Sequence, residues 1–373
     1  MRRWLFSIVV LAMLAGACGG GDGTGVQDET SSTETTTDES TVTTSQPSAE
    51  TWEPVYEDGV LQPVPDGFPE DAITLLNVDE PGSDDGVYIR VLQDALDGIA
   101  PVPVNVQDRE SPTFGSWAGL EYISTQRGGD DGYIAMVAAM TGGALDILVE
   151  PIEEDLGLTI DDWNPVIVTE KVPFVVATRK DAPWGTSYEE MAAYALDHPG
   201  ELRYAARLGS QLDISMERLM AYGEWTAEKI PLSGLGDVAT AVGAGEADFA
   251  MLLPGTALSH WEAGRLDVIL TIGDSSPAPW EDAATTVDIG LPDEPWGTLR
   301  GFLVSPSTPE LHRQWLLELF RAATETDAYQ QRLATVPGAQ GVVMDHDEVM
   351  IAVTNTLEFA GPIMEQLGIG KDS

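Results

Sequence analysis

The sequence predicts an α/β fold assembled in two successive blocks, and three observations carry that expectation. Short apolar strands alternate with helices from about Ala72 onward, the alternation restarts at Pro173, and Ser or Asp residues stand where the helices begin. Strands that alternate with helices pair in parallel and are covered on both faces. With 373 residues and 43% hydrophobic content, the chain can bury one large core or two modest ones.

The N-terminal part follows other rules. Arg2 and Arg3 precede the apolar run Trp4–Leu14, and the small residues Ala15, Gly16 and Ala17 lead to Cys18. This resembles a bacterial lipoprotein signal, residues 1–18, whose cysteine is lipidated and becomes the mature N-terminus. Ala15 departs from the pattern, where leucine is commoner. The apolar run is about half of the ~20 residues that span a bilayer. Cys18 is the single cysteine, so an intramolecular disulfide and multi-cysteine zinc sites are excluded. From Gly19 to about Glu50 the chain is Gly, Thr, Ser, Asp and Glu, and no base occurs between Arg3 and Arg90. Such a composition cannot offset its ordering entropy, so residues 19–71 are expected to form a disordered acidic tether.

The first block opens with a strand at Ile73–Val78, an acidic glycine loop and a helix at about Val87–Leu96. A strand at Val102–Val106, a helix at Gly115–Thr125 and a strand at Gly132–Ala139 follow. The second block starts with the strand Pro173–Thr178. Ser187 and Glu190 form a capping box for the next helix, and His198-Pro199-Gly200 stops it. A strand at Leu202–Ala206 leads to a helix capped by Ser210 and ended by Gly223. Asp237 is expected to cap another helix running toward Gly243, before the strand Asp248–Leu252. Thr308-Pro309-Glu310 opens a helix whose Leu311, Trp315, Leu316, Leu319 and Phe320 form one apolar stripe.

Charge limits the partners. The 62 acids against 18 bases give a formal net charge of −44, which repels nucleic acid and anionic lipid head groups. Catalytic signatures such as Gly-x-Ser-x-Gly, a phosphate loop or His-Glu-x-x-His do not occur. Asp345-His346-Asp347-Glu348 reads as an acidic helix start rather than a metal site. His198, His260 and His312 read as structural or solvated residues. No cofactor and no metal are expected.

Several fragments, in order, resemble the binding subunit of tripartite tricarboxylate transporters, the TctC or Bug family. Val78-Asp-Glu-Pro81-Gly82-Ser83 stands for a Pro-x-x-Gly-Gly loop, and Asp130-Asp131-Gly132-Tyr133 for a Pro-Asp-Gly-Tyr turn. His198-Pro199-Gly200-Glu-Leu202-Arg-Tyr204-Ala205, Val242-Gly-Ala-Gly245-Glu-Ala-Asp248, Ala263-Gly264-Arg265-Leu266 and Gly290-Leu291-Pro292 continue the series. The resemblance covers roughly Ala72–Gly368. It implies a two-lobed periplasmic-binding-protein-like fold with a ligand cleft: residues 72–172 plus 296–373 as the first lobe, 173–295 as the second. It also implies an extracytoplasmic solute-binding protein, not an enzyme, that passes a small carboxylate to membrane permease subunits. As a monomer, the protein would touch the membrane only through its lipid anchor. A ligand sensor for a membrane receptor, or an extracytoplasmic hydrolase, stays open as an alternative.

Carried over to this sequence, the implied ligand-binding residues are Glu80, Pro81, Gly82, Ser83 and Asp84 in the first loop, Met140 and Thr141 after the third strand, and Ala206, Arg207, Gly209 and Ser210 in the second block. Arg300, on a strand expected to return to the first lobe, completes the set. The loop from Asp79 to Asp85 is unusually acidic for an anion site. Arg207 and Arg300 are either counter-charges in the cleft, which keeps a carboxylate as the expected ligand, or ordinary surface and core-edge arginines, which points to an amine or neutral ligand instead. Trp117 and Trp296 are candidates to line the cleft or to join the core.

Overall fold

The structure is a computed structural model that describes residues 52–79, 82–111, 113–291, 297–368 and 370. The signal, Cys18, Glu80, Pro81 and Trp296 lie outside the described residues. Among those described, no helix is long and apolar enough to cross a membrane.

The chain enters through a small hairpin, β1 (Tyr56–Glu57) and β2 (Val60–Leu61). Leu61, Val64 and Phe68 are buried here, with Phe68 stacked on His312 at 4.1 Å and edge-on to Trp315. The tether expected to run to residue 71 therefore ends earlier. Few apolar residues are present, but they dock on a distant helix that the local composition does not reveal.

The first lobe then builds β3 (Ile73–Asn77), α1 (Asp84–Ala95), β4 (Val104–Asp108), α2 (Gly115–Thr125) and β5 (Ile134–Ala139). Three short helices follow, α3 (Met140–Ala144), α4 (Asp146–Val149) and α5 (Ile152–Leu156), before the long strand β6 (Pro165–Val172). The second lobe contains β7 (Val175–Arg179), α6 (Tyr188–Asp197), β8 (Arg203–Arg207), α7 (Gln211–Tyr222), β9 (Glu228–Leu232), α8 (Leu235–Ala244), β10 (Phe249–Leu252), α9 (Pro254–Glu262), β11 (Leu266–Thr271) and β12 (Ala284–Thr285). β13 (Thr298–Leu303), α10 (Glu310–Thr324), α11 (Asp327–Leu333), β14 (Gln340–Met344) and α12 (His346–Leu367) return to the first lobe.

Two six-stranded sheets result, ordered β14-β6-β13-β5-β3-β4 and β12-β11-β7-β10-β8-β9. Within each, β3, β4 and β5, or β8, β9 and β10, run parallel, while β13 and β7 pair antiparallel with their neighbours. β6 and β13 are adjacent in the first sheet, and each adjoins in sequence the second-lobe segment, so they form the crossing pair.

Each sheet is covered on both faces. Tyr88, Phe302, Trp315 and Phe320 fill one side of the first, and Trp117, Met136 and Trp163 the other. Tyr204, Met216 and Phe249, and on the opposite face Val238, Val242 and Leu252, do the same in the second. Each fully buried large apolar side chain contributes about 1.5–3 kcal/mol. Trp117 belongs to this core: it is wholly buried and donates its indole N–H to Gly143 O at 3.0 Å.

Local capping shapes several helices. Ser187 Oγ accepts from Glu190 N, and Glu190 Oε2 accepts from Ser187 N, both at 3.2 Å. Ser210 caps α7, Gly223 closes it, and Asp345 with Glu348 forms the capping box of α12. Helix α8 departs from expectation: Gly234 is its cap, and Asp237 lies in its first turn, where an acid favours the dipole without capping.

Candidate functional site

Helix N-termini follow the carboxyl ends of the parallel strands β3, β5, β8 and β10, the edge at which open α/β sheets hold ligands. The first N–H groups of a helix lack intrahelical partners and carry the positive end of its dipole. Contacts bring these ends of the two lobes together. Thr141 Oγ1, in α3, donates to Gln211 Oε1, the first residue of α7, at 3.3 Å, and Gln211 Nε2 reaches Gly297 O at 3.4 Å. The approach is close enough that a Cβ on Gly142 would stand 3.2 Å from Gln211 Oε1. A Cβ on Gly255, in α9 of the second lobe, would stand 3.8 Å from Asp84 Oδ1 in the first.

On the first lobe, Gly82 is exposed, and Ser83 caps α1 by accepting from Gly86 N at 3.0 Å. Thr141 is buried against Gln211, whereas the Met140 side chain is wholly buried in the core, so Met140 offers the cleft only its backbone. On the second lobe, Ala206 is buried near the end of β8. Arg207 ends that strand and is exposed, and among the described residues no carboxylate lies within ion-pair distance of it. Gly209 and Ser210 form the turn into α7.

Arg300 corrects the sequence expectation. It is 1% exposed, and its guanidinium is fully engaged: Nη2 to Asp84 Oδ2 at 2.5 Å, Nε to Asp85 Oδ1 at 2.6 Å and Nη1 to Glu170 Oε2 at 3.2 Å. Arg332 adds Nη1 to Glu170 Oε1 at 2.7 Å and Nη2 to Asp84 Oδ1 at 3.4 Å. Burial works against the Arg300 charge, but Asp85, Asp84 and Glu170 outweigh it and hold its pKa well above the ordinary arginine value. Arg300 is thus a counter-ion for the protein's own carboxylates, not a cation presented to a ligand. The same pairing changes the meaning of the acidic loop, because Asp84 and Asp85 are each paired with Arg300.

Two further acids face Arg207. Asp79 keeps solvent contact yet is crowded by protein, and that desolvation, with the nearby Asp85 carboxylate, raises its pKa to about 7 against the pull of Arg207 and Arg300. Burial likewise raises Asp146, at the start of α4, to about 6, with Arg207 lowering and Glu150 raising it. Asp146 and Gln211 were not singled out from sequence. Gln211 directly follows the Ser210 cap, which was the available signal; Asp146 gave none.

Residues 88–369 match the family model described as the tripartite tricarboxylate transporter family receptor. A UPF0065 protein of Bordetella pertussis is 24% identical over 309 residues, covering 82% of this chain and 92% of that protein. Among solved structures, an R. palustris protein with adipate superposes with a TM-score of 0.69 at 18% identity, covering 81% of this chain and 99% of that one. MatC from Rhodopseudomonas palustris with bound malate gives 0.64 at 20% identity, covering 79% and 99%. The periplasmic binding protein BugD gives 0.66 at 16% identity, covering 81% and 99%. These likenesses establish a shared two-lobed fold.

Proposed function

The chain belongs to the tripartite tricarboxylate transporter receptor family, and on that premise we propose that it captures a small carboxylate between its lobes for a membrane permease. Family membership makes it an extracytoplasmic solute-binding protein. The observation that carries the finer reading is Arg207, exposed and without an ion-pair partner among the described residues, just before the start of α7 and within electrostatic reach of Asp79 and Asp146 of the first lobe. A carboxylate there gains a charge-assisted hydrogen bond from the guanidinium and dipole stabilisation from backbone N–H groups. Adipate and malate in the related structures support the same ligand class. The protein performs no chemistry in this reading; it binds, closes and delivers. Its attachment to the membrane is through lipidated Cys18.

The test is binding. Malate, adipate and citrate are screened by thermal shift on protein purified without denaturation, and released small molecules are identified by mass spectrometry. A ligand that prefers the folded protein raises the melting temperature by mass action. Small-angle scattering should show compaction as the lobes close on it. The absence of both stabilisation by any of these carboxylates and a co-purified acid would overturn the carboxylate reading.

A further inference from the structure

We propose that Asp213 is a positioning residue, holding the turn from Arg207 to Ser210 in place for the ligand from the side away from the cleft. The inference rests on the functional reading above. Asp213 lies in the first turn of α7, and its side chain is 0% exposed. Its Oδ2 accepts from Gly209 N at 3.0 Å, and its Oδ1 accepts from Tyr204 Oη at 3.2 Å. Lys229 Nζ approaches Oδ1 at 2.8 Å and Oδ2 at 3.0 Å. Lys229 also pairs with Glu217 at 2.9 Å, and Glu217 contacts the Tyr204 hydroxyl.

This exceeds what capping α7 requires. Ser210 Oγ already accepts from Asp213 N at 3.3 Å. In a capping box the acid would return to the N–H of the cap residue itself. Here the carboxylate reaches one residue further back, to Gly209, whose φ of 73° places it in the left-handed region open to glycine. Burying a carboxylate is unfavourable unless its oxygens are fully partnered, and this one is partnered by groups from β8, β9 and the turn itself. The other side of the turn carries Arg207, exposed, and Leu208, 55% exposed. Exposure leaves both side chains less constrained than the buried carboxylate behind them, and the hold on Gly209 sets where Arg207 stands.

The experiment compares Asp213→Ala, Asp213→Asn and Lys229→Met with the full-length protein. Amide hydrogen exchange is followed at Gly209 and Ser210 against β10 as internal reference, and malate and adipate are titrated calorimetrically. Asp213→Ala should speed exchange at Gly209 and weaken binding by about 10-fold or more, the size expected for losing a hydrogen bond to a charged acceptor. Asp213→Asn keeps an acceptor for Gly209 N–H and should recover most of the affinity. Lys229→Met leaves the Gly209 contact in place, so it should lower the melting temperature with a much smaller change in affinity. A purely structural role would instead make affinity follow melting temperature in all three variants, and that pattern overturns the proposal. So does unchanged exchange at Gly209 in Asp213→Ala. If Asp213→Ala fails to fold, the other two variants decide by the same split. If wild-type protein binds neither acid, the carboxylate reading falls, and exchange at Gly209 alone decides whether Asp213 fixes the turn.

Discussion

Arg300 Nη2 lies 2.5 Å from Asp84 Oδ2, joining the strand that returns between the lobes to the first turn of helix α1. Glu170 of β6, the other crossing strand, completes the connection by pairing with both Arg300 and Arg332. The ring of Tyr88 lies 5.4 Å from each guanidinium carbon and limits access of water. The charges at the start of α1 are therefore tied to the strands on which a hinge would turn.

Arg300→Met should be strongly destabilising. Removing one partner from a buried ionic network leaves the others uncompensated, at a typical cost of about 3–5 kcal/mol. Chemical denaturation measures the loss. Asp84→Asn with Asp85→Asn should also destabilise, because these acids balance Arg300 rather than repel a ligand. Tighter anion binding by that double variant, with stability unchanged, would show that Arg300 does not hold them.

Arg207→Ala tests the cation that remains. Loss of a charge-assisted hydrogen bond of about 1.5–3 kcal/mol weakens carboxylate binding roughly 10- to 100-fold. Because Arg207 is exposed, part of the effect should fade toward physiological salt, where the Debye length is about 8 Å. Calorimetry at low and high salt gives both numbers. Equal affinity of wild type and variant at low salt would remove Arg207 from the site.

What could be read from the sequence was governed by distance along the chain. Ser187 with Glu190, and Ser210 with Gly223, were legible because a cap is a matter of three or four neighbouring residues. Strands β3, β4, β5, β7, β8 and β10 were legible from their apolar runs, with ends shifted by a residue or two, whereas β6, β9, β11 and β14 were not singled out. Arg300 was misjudged because its partners Asp85 and Glu170 stand 215 and 130 residues away. The same holds for Phe68, which composition assigns to a tether and which packs on His312 and Trp315. For the cleft, the turn Arg207–Ser210 was visible from its place between strand and cap. Asp146 was not, since an isolated acid in a chain with 62 of them carries no local signal.

Cys18→Ser tests the membrane attachment. Wild-type protein should fractionate with membranes and require detergent, and the variant should become soluble or remain unprocessed. One acyl chain binds a bilayer only marginally, so stable association implies more than one on this cysteine. Wild-type protein recovered wholly in the soluble fraction would contradict lipidation.

Asp79 and Asp146 have folded-state pKa values of about 7 and about 6, above the ordinary 3.8. The folded protein therefore binds protons more tightly than the unfolded chain between these limits. The stability this contributes is fully present below about pH 4 and is lost as pH rises through 6 and then 7. Melting temperature should fall over that interval, and Asp79→Asn should remove its upper part. Ligand affinity should move the same way. Asp79 is surrounded by Asp85, Arg207 and Arg300, and Asp146 by Arg207 and Glu150. Once ionised, both compete with a carboxylate ligand for Arg207; while protonated, they do not. Carboxylate binding should therefore weaken as pH is raised across this range, and Asp79→Asn with Asp146→Asn should flatten the dependence. Calorimetric titrations across the range decide it: affinity that holds constant or rises with pH would show that these acids do not share Arg207 with the ligand.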